Sequence, residues 1–413
     1  MSGYDRICEI SIYLDISVHK LFVRGNMDPF LNPFAPGAGL RPPELAGRDK
    51  MLNEVDVALR RCLAGRSFRS VLFLGLRGTG KTVLLNEVAQ RAGEHGFLVS
   101  KLEAPEKANL GKMLYPELKK VMRSLSAVAL AKDLAVRALK GLRNFASNFK
   151  IEIEGVEISV GEEPGFCNTG DLQTDLPELF EAVGKAARIA KKGWVICLDE
   201  VQYLKEEDLA ALIVSFHNIA QLGLPIMLVG AGLPQLAKQS GESKSYAERL
   251  FRFYNISALD AVSAADAVQK PLRDANATIT SLALDEIIKG TRGYPFFLQQ
   301  WAACTWDMSE SDHIDVEDVH KASSEAIHIL DDGFFRVRLD RLTKGELQYC
   351  QAMARLGDGP YAAGKIAKAL HKKATDLGPM RASIIGKGMI YSTSYGYVDF
   401  TVPMFADFLR RMK

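Results

Sequence analysis

Short apolar runs alternate with stretches of helical spacing from about residue 49 to residue 257. Ser70–Leu74, Phe97–Leu102, Trp194–Leu198, Pro225–Gly230 and Phe253–Ile256 read as strands. Asp49–Leu63, Val83–Gln90, one or two segments within 108–147, Leu176–Ala190 and 206–222 carry helical spacing. Strands that alternate with helices predict a parallel α/β sheet. Lys150–Val160 alternates at period two on both sides of Glu154-Gly155 and predicts a hairpin, followed by a polar loop over Gly165–Asp175. Residues 258–330 read as helical, with breaks at Gly290 and at Gly293-Tyr294-Pro295.

The last stretch has a different pattern. Thr343 and Glu346 make a capping box at the head of a helix reaching about Leu356. Pro360–His371 and Thr375–Lys387 predict two more helices. Met389–Thr393 and Tyr397–Thr401 flank a Ser-Tyr-Gly turn as a hairpin, and Pro403–Arg411 predicts a final helix. Three helices and a two-stranded wing describe a winged helix, in which Thr375–Lys387 would enter a DNA major groove with Lys372, Lys373 and Arg381 near the duplex. A winged helix that binds protein, or packs as a lid, fits the same pattern. The domain reading is residues 1–43 as an extension and Pro/Gly-rich arm; 44–257 as an α/β core with an insertion at about 108–165; 258–333 as a helical lid; and 334–413 as the winged helix. Residues 1–26 look unlike the rest of the chain, and Met27 reads as a second start.

Composition narrows this picture a little. At 413 residues, 47% hydrophobic and 25% charged, the chain has the make-up of two or three globular domains. No apolar run is long enough to span a membrane. The six cysteines are scattered with no C-x-x-C pair, which predicts reduced thiols in a cytoplasmic protein, and the seven histidines show no metal-ligand spacing. Net charge is +2, but from Phe334 onward 14 Lys/Arg face six Asp/Glu, a balance of +8 that leaves −6 for the rest. That asymmetry suits a basic module for nucleic acid on a more acidic body.

The chemistry is concentrated in two places. Gly75-Leu76-Arg77-Gly78-Thr79-Gly80-Lys81-Thr82, with Val83 opening the helix, matches the phosphate-binding loop G-x-x-x-x-G-K-[ST]. Glycines let backbone N–H groups close around phosphate, and the helix N-terminus adds positive potential. Lys81 would reach the β- and γ-phosphates and the Thr82 hydroxyl would bind Mg²⁺. The second place is the end of the strand Trp194–Leu198, where Asp199 would hold Mg²⁺ and Glu200 would polarise the attacking water. Together they predict a P-loop NTPase sheet that binds and slowly hydrolyses ATP.

The order of these parts resembles the AAA+ ATPases of the origin-recognition and initiator type, and the archaeal-type ATPases of the signal-transduction clade. Beside the two motifs, Asn32-Pro-Phe34, Leu45-Ala-Gly-Arg48 and Gly293-Tyr-Pro295-Phe-Phe-Leu-Gln299 carry the likeness over residues 28–413. The resemblance implies that Arg48 and Pro295 lie at the nucleotide. It implies an arginine finger given across a subunit contact, with Arg249 preferred over Arg252, and hence a homo-oligomer or protein partner. A sensor arginine in the lid would be Arg292. Such ATPases carry a polar sensor at the tip of the fourth strand, where this chain has Gly230-Ala231-Gly232. The resemblance leaves two roles open: a switch on double-stranded DNA, or a signalling ATPase whose nucleotide state controls protein assembly.

Overall fold

The computed structural model describes residues 27–106, 108–151 and 166–412. The predicted extension over 1–26 and nearly all of the hairpin over 150–160 lie outside these residues. In chain order the first unit comprises α1 (Asp49–Leu63), β1 (Ser70–Leu74), α2 (Lys81–Glu94), β2 (Phe97–Glu103), α3 (Leu110–Ser126), α4 (Lys132–Asn148), α5 (Leu172–Ile189), β3 (Gly193–Asp199), α6 (Glu206–Leu222), β4 (Ile226–Gly232), α7 (Leu236–Ser243), α8 (Ala247–Leu250) and β5 (Phe251–Asn255). The strands form one parallel sheet in the order β2-β3-β4-β1-β5. Every residue of β1 and β4 is buried, as expected for parallel strands covered on both faces. One face packs on α3–α6 around Leu114, Phe180, Trp194 and Phe216, and the other on α1 and α2 around Leu59, Phe73 and Val88.

The stretch expected as a polar loop to Asp175 is helical from Leu172. Its polar residues build the cap. Asp171 accepts from the Gln173 N–H, and the buried Asp175 carboxylate accepts from the backbone of Thr169 and Gly170. Polarity there marks a helix start and not an irregular segment.

The following unit contains α9 (Ala261–Asp274), β6 (Thr278–Ile279), α10 (Ser281–Thr291), α11 (Pro295–Met308), β7 (His313–Ile314) and α12 (Val316–Ile329). It is helical as expected, save for the β6–β7 pair, too short to leave a periodic trace. A π turn over Leu330–Phe335 and α13 (Arg336–Leu339) lead into α14 (Lys344–Arg355), β8 (Tyr361–Ala362), α15 (Ala363–Ala369), α16 (Gly378–Gly386), β9 (Ile390–Ser394), β10 (Tyr397–Phe400) and α17 (Phe405–Arg411). The reciprocal Thr343–Glu346 box heads α14 as read. The helix expected from Pro360 starts at Ala363, because Tyr361 and Ala362 pair with β10 to make a three-stranded antiparallel sheet, β8-β10-β9.

The lid and the C-terminal unit share a single hydrophobic core. Phe335 sits at its centre, with ring centroids 6.3 Å from Phe297 of α11 and 5.9 and 5.2 Å from Phe405 and Phe408 of α17. The arm joins the same core. Phe34 is buried in it, and the Asn32 side-chain amide donates to the Ala303 carbonyl and the Asp307 carboxylate on α11. Among the described residues no helix is long and apolar enough to cross a membrane.

Candidate functional site

At the C-terminal ends of β1 and β3 lies a cavity of about 580 Å³. Open parallel sheets bind ligands at this edge. Gly78, Thr79, Gly80, Lys81, Thr82, Val83 and Arg77 from the loop after β1, Asp199 and Glu200 from the end of β3, Arg48, and Pro295 of α11 all line it. Gly75 and Leu76 stand behind them, and their carbonyls accept from Lys81 Nζ at 2.9 Å each. The loop is tightly seated. A Cβ on Gly75 would stand 2.1 Å from the Ile256 carbonyl oxygen, so the loop cannot follow this path with a side chain there. Gly80, at φ 89°, turns the chain into α2, whose first residues Lys81, Thr82 and Val83 line the cavity and whose first N–H groups have no intrahelical partners.

Lys81 is buried, with 7% of its surface exposed. Burial, partly offset by Glu200 and Asp199, pushes its ammonium down to about 8. The Thr82 hydroxyl donates to Asp199 Oδ2 at 2.6 Å, while Asp199 Oδ1 accepts from the Glu200 N–H at 2.8 Å. Burial pushes the Asp199 carboxyl above its ordinary range, against the hydrogen bond from Thr82. A hydroxyl, a carboxylate, a buried ammonium and a helix N-terminus at one cavity fit a nucleoside triphosphate with Mg²⁺.

Glu200 is held on both sides. Arg77 Nη1 donates to its Oε1 at 2.9 Å, and the Gln202 side-chain amide donates to its Oε2. Its backbone is left-handed, at φ 53° and ψ 37°, an uncommon conformation for a residue other than glycine. Gln202 closes the motif Leu198–Gln202, and the sequence assigned it no role. Its Oε1 accepts from the Leu233 N–H at 3.0 Å, and the place it fills is the one that Gly232 leaves open: a Cβ on Gly232 would lie 2.7 Å from Gln202 Oε1. An amide from the turn after β3 thus lies against the glycine tip of β4. The signal was the Gln in Leu198-Asp-Glu-Val-Gln202, readable only once β3 and β4 are known neighbours.

Arg48 Nη2 donates to the Ser257 carbonyl at 2.8 Å at the cavity's edge, and burial lowers its guanidinium below the ordinary value, against the pull of Asp260. Ala38 and Leu40 of the arm, with Leu45, Leu259 and Ala267, add apolar lining to the cavity. The lid touches the loop directly, where the Phe296 N–H donates to the Gly78 carbonyl at 3.2 Å. Two further residues that the sequence did not suggest, Phe334 and Arg338, come from the segment leading into the C-terminal unit.

Several arginines lie elsewhere. Arg292, expected as the lid's sensor, closes α10 in a left-handed conformation and pairs with Asp407 of α17 at 2.9 Å, outside the cavity lining. That corrects the expectation: its side chain is spent on joining lid to C-terminal unit. Arg249 is exposed on α8 and is not part of the cavity, and Arg252 pairs with Glu54 at 3.7 Å. Lys372 and Lys373 are exposed between α15 and α16, and Arg381 is half-buried on α16. All three stand apart from the cavity.

Residues 44–229 match the AAA ATPase domain family. Residues 332–409 match a domain of unknown function (DUF8462). No curated protein matches. Among solved structures, a Walker-type ATPase of Pyrococcus abyssi is similar with a TM-score of 0.53 at 14% identity, covering 90% of this chain and 97% of its own. The ORC1 protein of Aeropyrum pernix in complex with DNA has a TM-score of 0.48 at 15% identity, covering 95% of this chain and 98% of its own. The RuvB Holliday junction branch migration motor of Thermotoga maritima has a TM-score of 0.42 at 17% identity, covering 90% and 99%. The Pyrococcus likeness shows a common fold. Both phosphate-site motifs fall inside the residues that match the AAA ATPase domain family.

Proposed function

We propose that this chain is an ATP-binding molecular switch that hydrolyses ATP slowly, and that its C-terminal unit is a winged helix that contacts double-stranded DNA. The observation that carries the switch is Arg77. Its guanidinium holds Glu200 at 2.9 Å and Tyr203 at 2.8 Å, and its N–H donates to the Thr401 carbonyl of the C-terminal unit at 2.9 Å. One residue of the phosphate loop therefore touches the residue best placed to act on water and the unit best placed to act on a partner.

Bound Mg²⁺ would neutralise phosphate charge, with Thr82 and Asp199 as the residues placed to hold it. The loop N–H groups and Lys81 bind and orient the phosphates. Glu200 accepts a proton from the attacking water once Arg77 releases it, and Gln202 fixes the carboxylate's direction meanwhile. Arg249, exposed on α8, would complete the site from a neighbouring copy, which ties turnover to assembly.

The DNA reading rests on the order helix, strand, helix, helix, hairpin from Lys344 to Phe400, and on Lys372 and Lys373 being exposed beside α16. Against it stands a signalling role in which the unit docks protein. That reading is favoured by the number of C-terminal cations already matched inside the chain: Arg341 with Glu106, Lys387 with Glu346, Arg410 with Asp407 and Arg411 with Asp331. A salt titration of the full chain on duplex DNA decides. Four to six neutralised phosphates give a slope of about −4 to −5 in log K against log salt. The slope should shrink by about two in a Lys372→Ala, Lys373→Ala variant. Flat or absent binding sinks the DNA reading and leaves the signalling one.

A further inference from the structure

The segment Leu330–Leu339 is a π turn followed by one turn of helix, and it joins the lid to the C-terminal unit. Its charged residues are settled differently. Arg336 pairs with Asp332 at 3.5 Å, and just beyond the segment Arg341 pairs with Glu106. Arg338 between them has no ion-pair partner among the described residues. It lies half-buried in the cavity wall, with its guanidinium carbon 3.9 Å from the Phe334 ring centroid and Nη1 donating to the Phe334 carbonyl. Burial, with the like charge of Arg77 added, pushes the Arg338 guanidinium down to about 10. A cation withdrawn from water with no anion at hand is a costly arrangement unless a ligand supplies the anion.

The end of the cavity that Arg338 faces follows from its neighbour. Arg338 lies over the Phe334 ring, Phe334 stacks on Phe296 with centroids 4.9 Å apart, and the Phe296 N–H donates to the Gly78 carbonyl at 3.2 Å, so Arg338 stands on the phosphate-loop side of the cavity. Lys81, Arg77 and Arg338 share the lining there with three carboxylates, Glu103, Asp199 and Glu200; Arg77 is bonded to Glu200, whereas Arg338 has no carboxylate partner among the described residues.

We propose that Arg338 is a ligand of the terminal phosphate of ATP, supplied in cis by the segment that leads to the C-terminal unit. The proposal rests on the ATP-binding reading above and goes beyond it in naming the residue that tells ATP from ADP. The stacking on Phe334 holds the fork of N–H donors in place, and a planar guanidinium bonds two phosphate oxygens at once. Because Arg338 belongs to the joining segment, the presence of the third phosphate is felt directly where the C-terminal unit begins.

The test is equilibrium binding of the full chain, with Mg²⁺, to ADP and to the non-hydrolysable ATP analogue AMP-PNP. Arg338→Met keeps the apolar stem on Phe334 and removes the charge, and Arg338→Lys keeps the charge without the fork. Loss of a charged hydrogen-bond donor to phosphate should weaken AMP-PNP by about tenfold or more in Arg338→Met while ADP changes by less than about twofold. Arg338→Lys should fall between wild type and Arg338→Met. Equal losses for both nucleotides, or none for AMP-PNP, overturn the proposal. Lys81→Ala separates this proposal from the ATP reading beneath it. If it abolishes binding of both nucleotides while Arg338→Met is silent, the ATP reading stands and the Arg338 proposal falls. If Lys81→Ala is itself silent, both fall.

Discussion

The phosphate loop and the C-terminal unit meet at Arg77, yet they are assembled by opposite means. The loop's geometry comes from eight consecutive residues between a buried strand and a helix, and its partners Asp199 and Glu200 are likewise adjacent. The C-terminal unit reaches the loop through isolated positions. Thr401 accepts from the Arg77 N–H, and Gly388, bound to Thr401 through its carbonyl at 2.6 Å, lies against Tyr203 and Arg77. Chemistry packed into one short stretch is robust to everything outside it. A contact made by single residues far apart in sequence can be adjusted or released without disturbing the chemistry, which is what a switch requires.

The largest effect that would sharpen this contrast lies on the loop side. Glu200→Gln keeps the shape and removes the base; with one acceptor oxygen in place of two it keeps the hydrogen bond from Arg77 or from Gln202, not both. Turnover should fall by about 10²–10⁴, the usual contribution of a general base, with ATP affinity held within a few-fold. Steady-state phosphate release and calorimetric binding on the same sample check both halves. Undiminished turnover would remove Glu200 from the chemistry and leave its pairing with Arg77 as structure alone.

This difference also explains what could be read in advance. The five strands, the helical lid and the cradle residues from Gly75 to Val83, with Asp199 and Glu200, were legible because each is a local pattern whose spacing dictates its geometry. Gln202 and Arg338 were not, because their roles depend on which strands and segments become neighbours. Arg292 illustrates the same limit from the other side: its sequence neighbourhood pointed to the nucleotide, and its side chain is drawn off by Asp407, 115 residues away. The basic balance after Phe334 was legible as a number but not as a surface, since five of those cations pair with carboxylates within the chain.

A smaller effect concerns Lys81. Its ammonium is held down to about 8 from the ordinary 10.5 by burial, and phosphate favours the charged form. Below about pH 8 the lysine is already protonated and ATP affinity should not change on its account. Above that, binding must take up a proton, and affinity should fall by about tenfold per pH unit until the bound-state value is reached. Calorimetry from pH 7 to 9.5 in two buffers of different ionisation heat reads the uptake. An affinity flat to pH 9.5 would mean that the buried ammonium stays charged without ligand.

The smallest effect tests the other side of the comparison. Gly388 has φ +64°, and a Cβ there would stand 2.5 Å from the Tyr203 hydroxyl and 3.1 Å from Arg77 Nη2. Gly388→Ala must therefore shift the C-terminal unit off the loop or twist its own turn, at a cost of about 1–2 kcal/mol. Gly364→Ala is the matched control in the same unit, since its added Cβ meets nothing within 4 Å. If the docking is a separable contact, Gly388→Ala speeds amide exchange at Arg77, whose N–H is bonded to Thr401, and leaves exchange in β1 and the Lys81-dependent affinity for ADP unchanged. Should exchange in β1 rise along with it, loop and C-terminal unit form one cooperative body, and the contrast drawn between them is one of sequence only, with no mechanical counterpart.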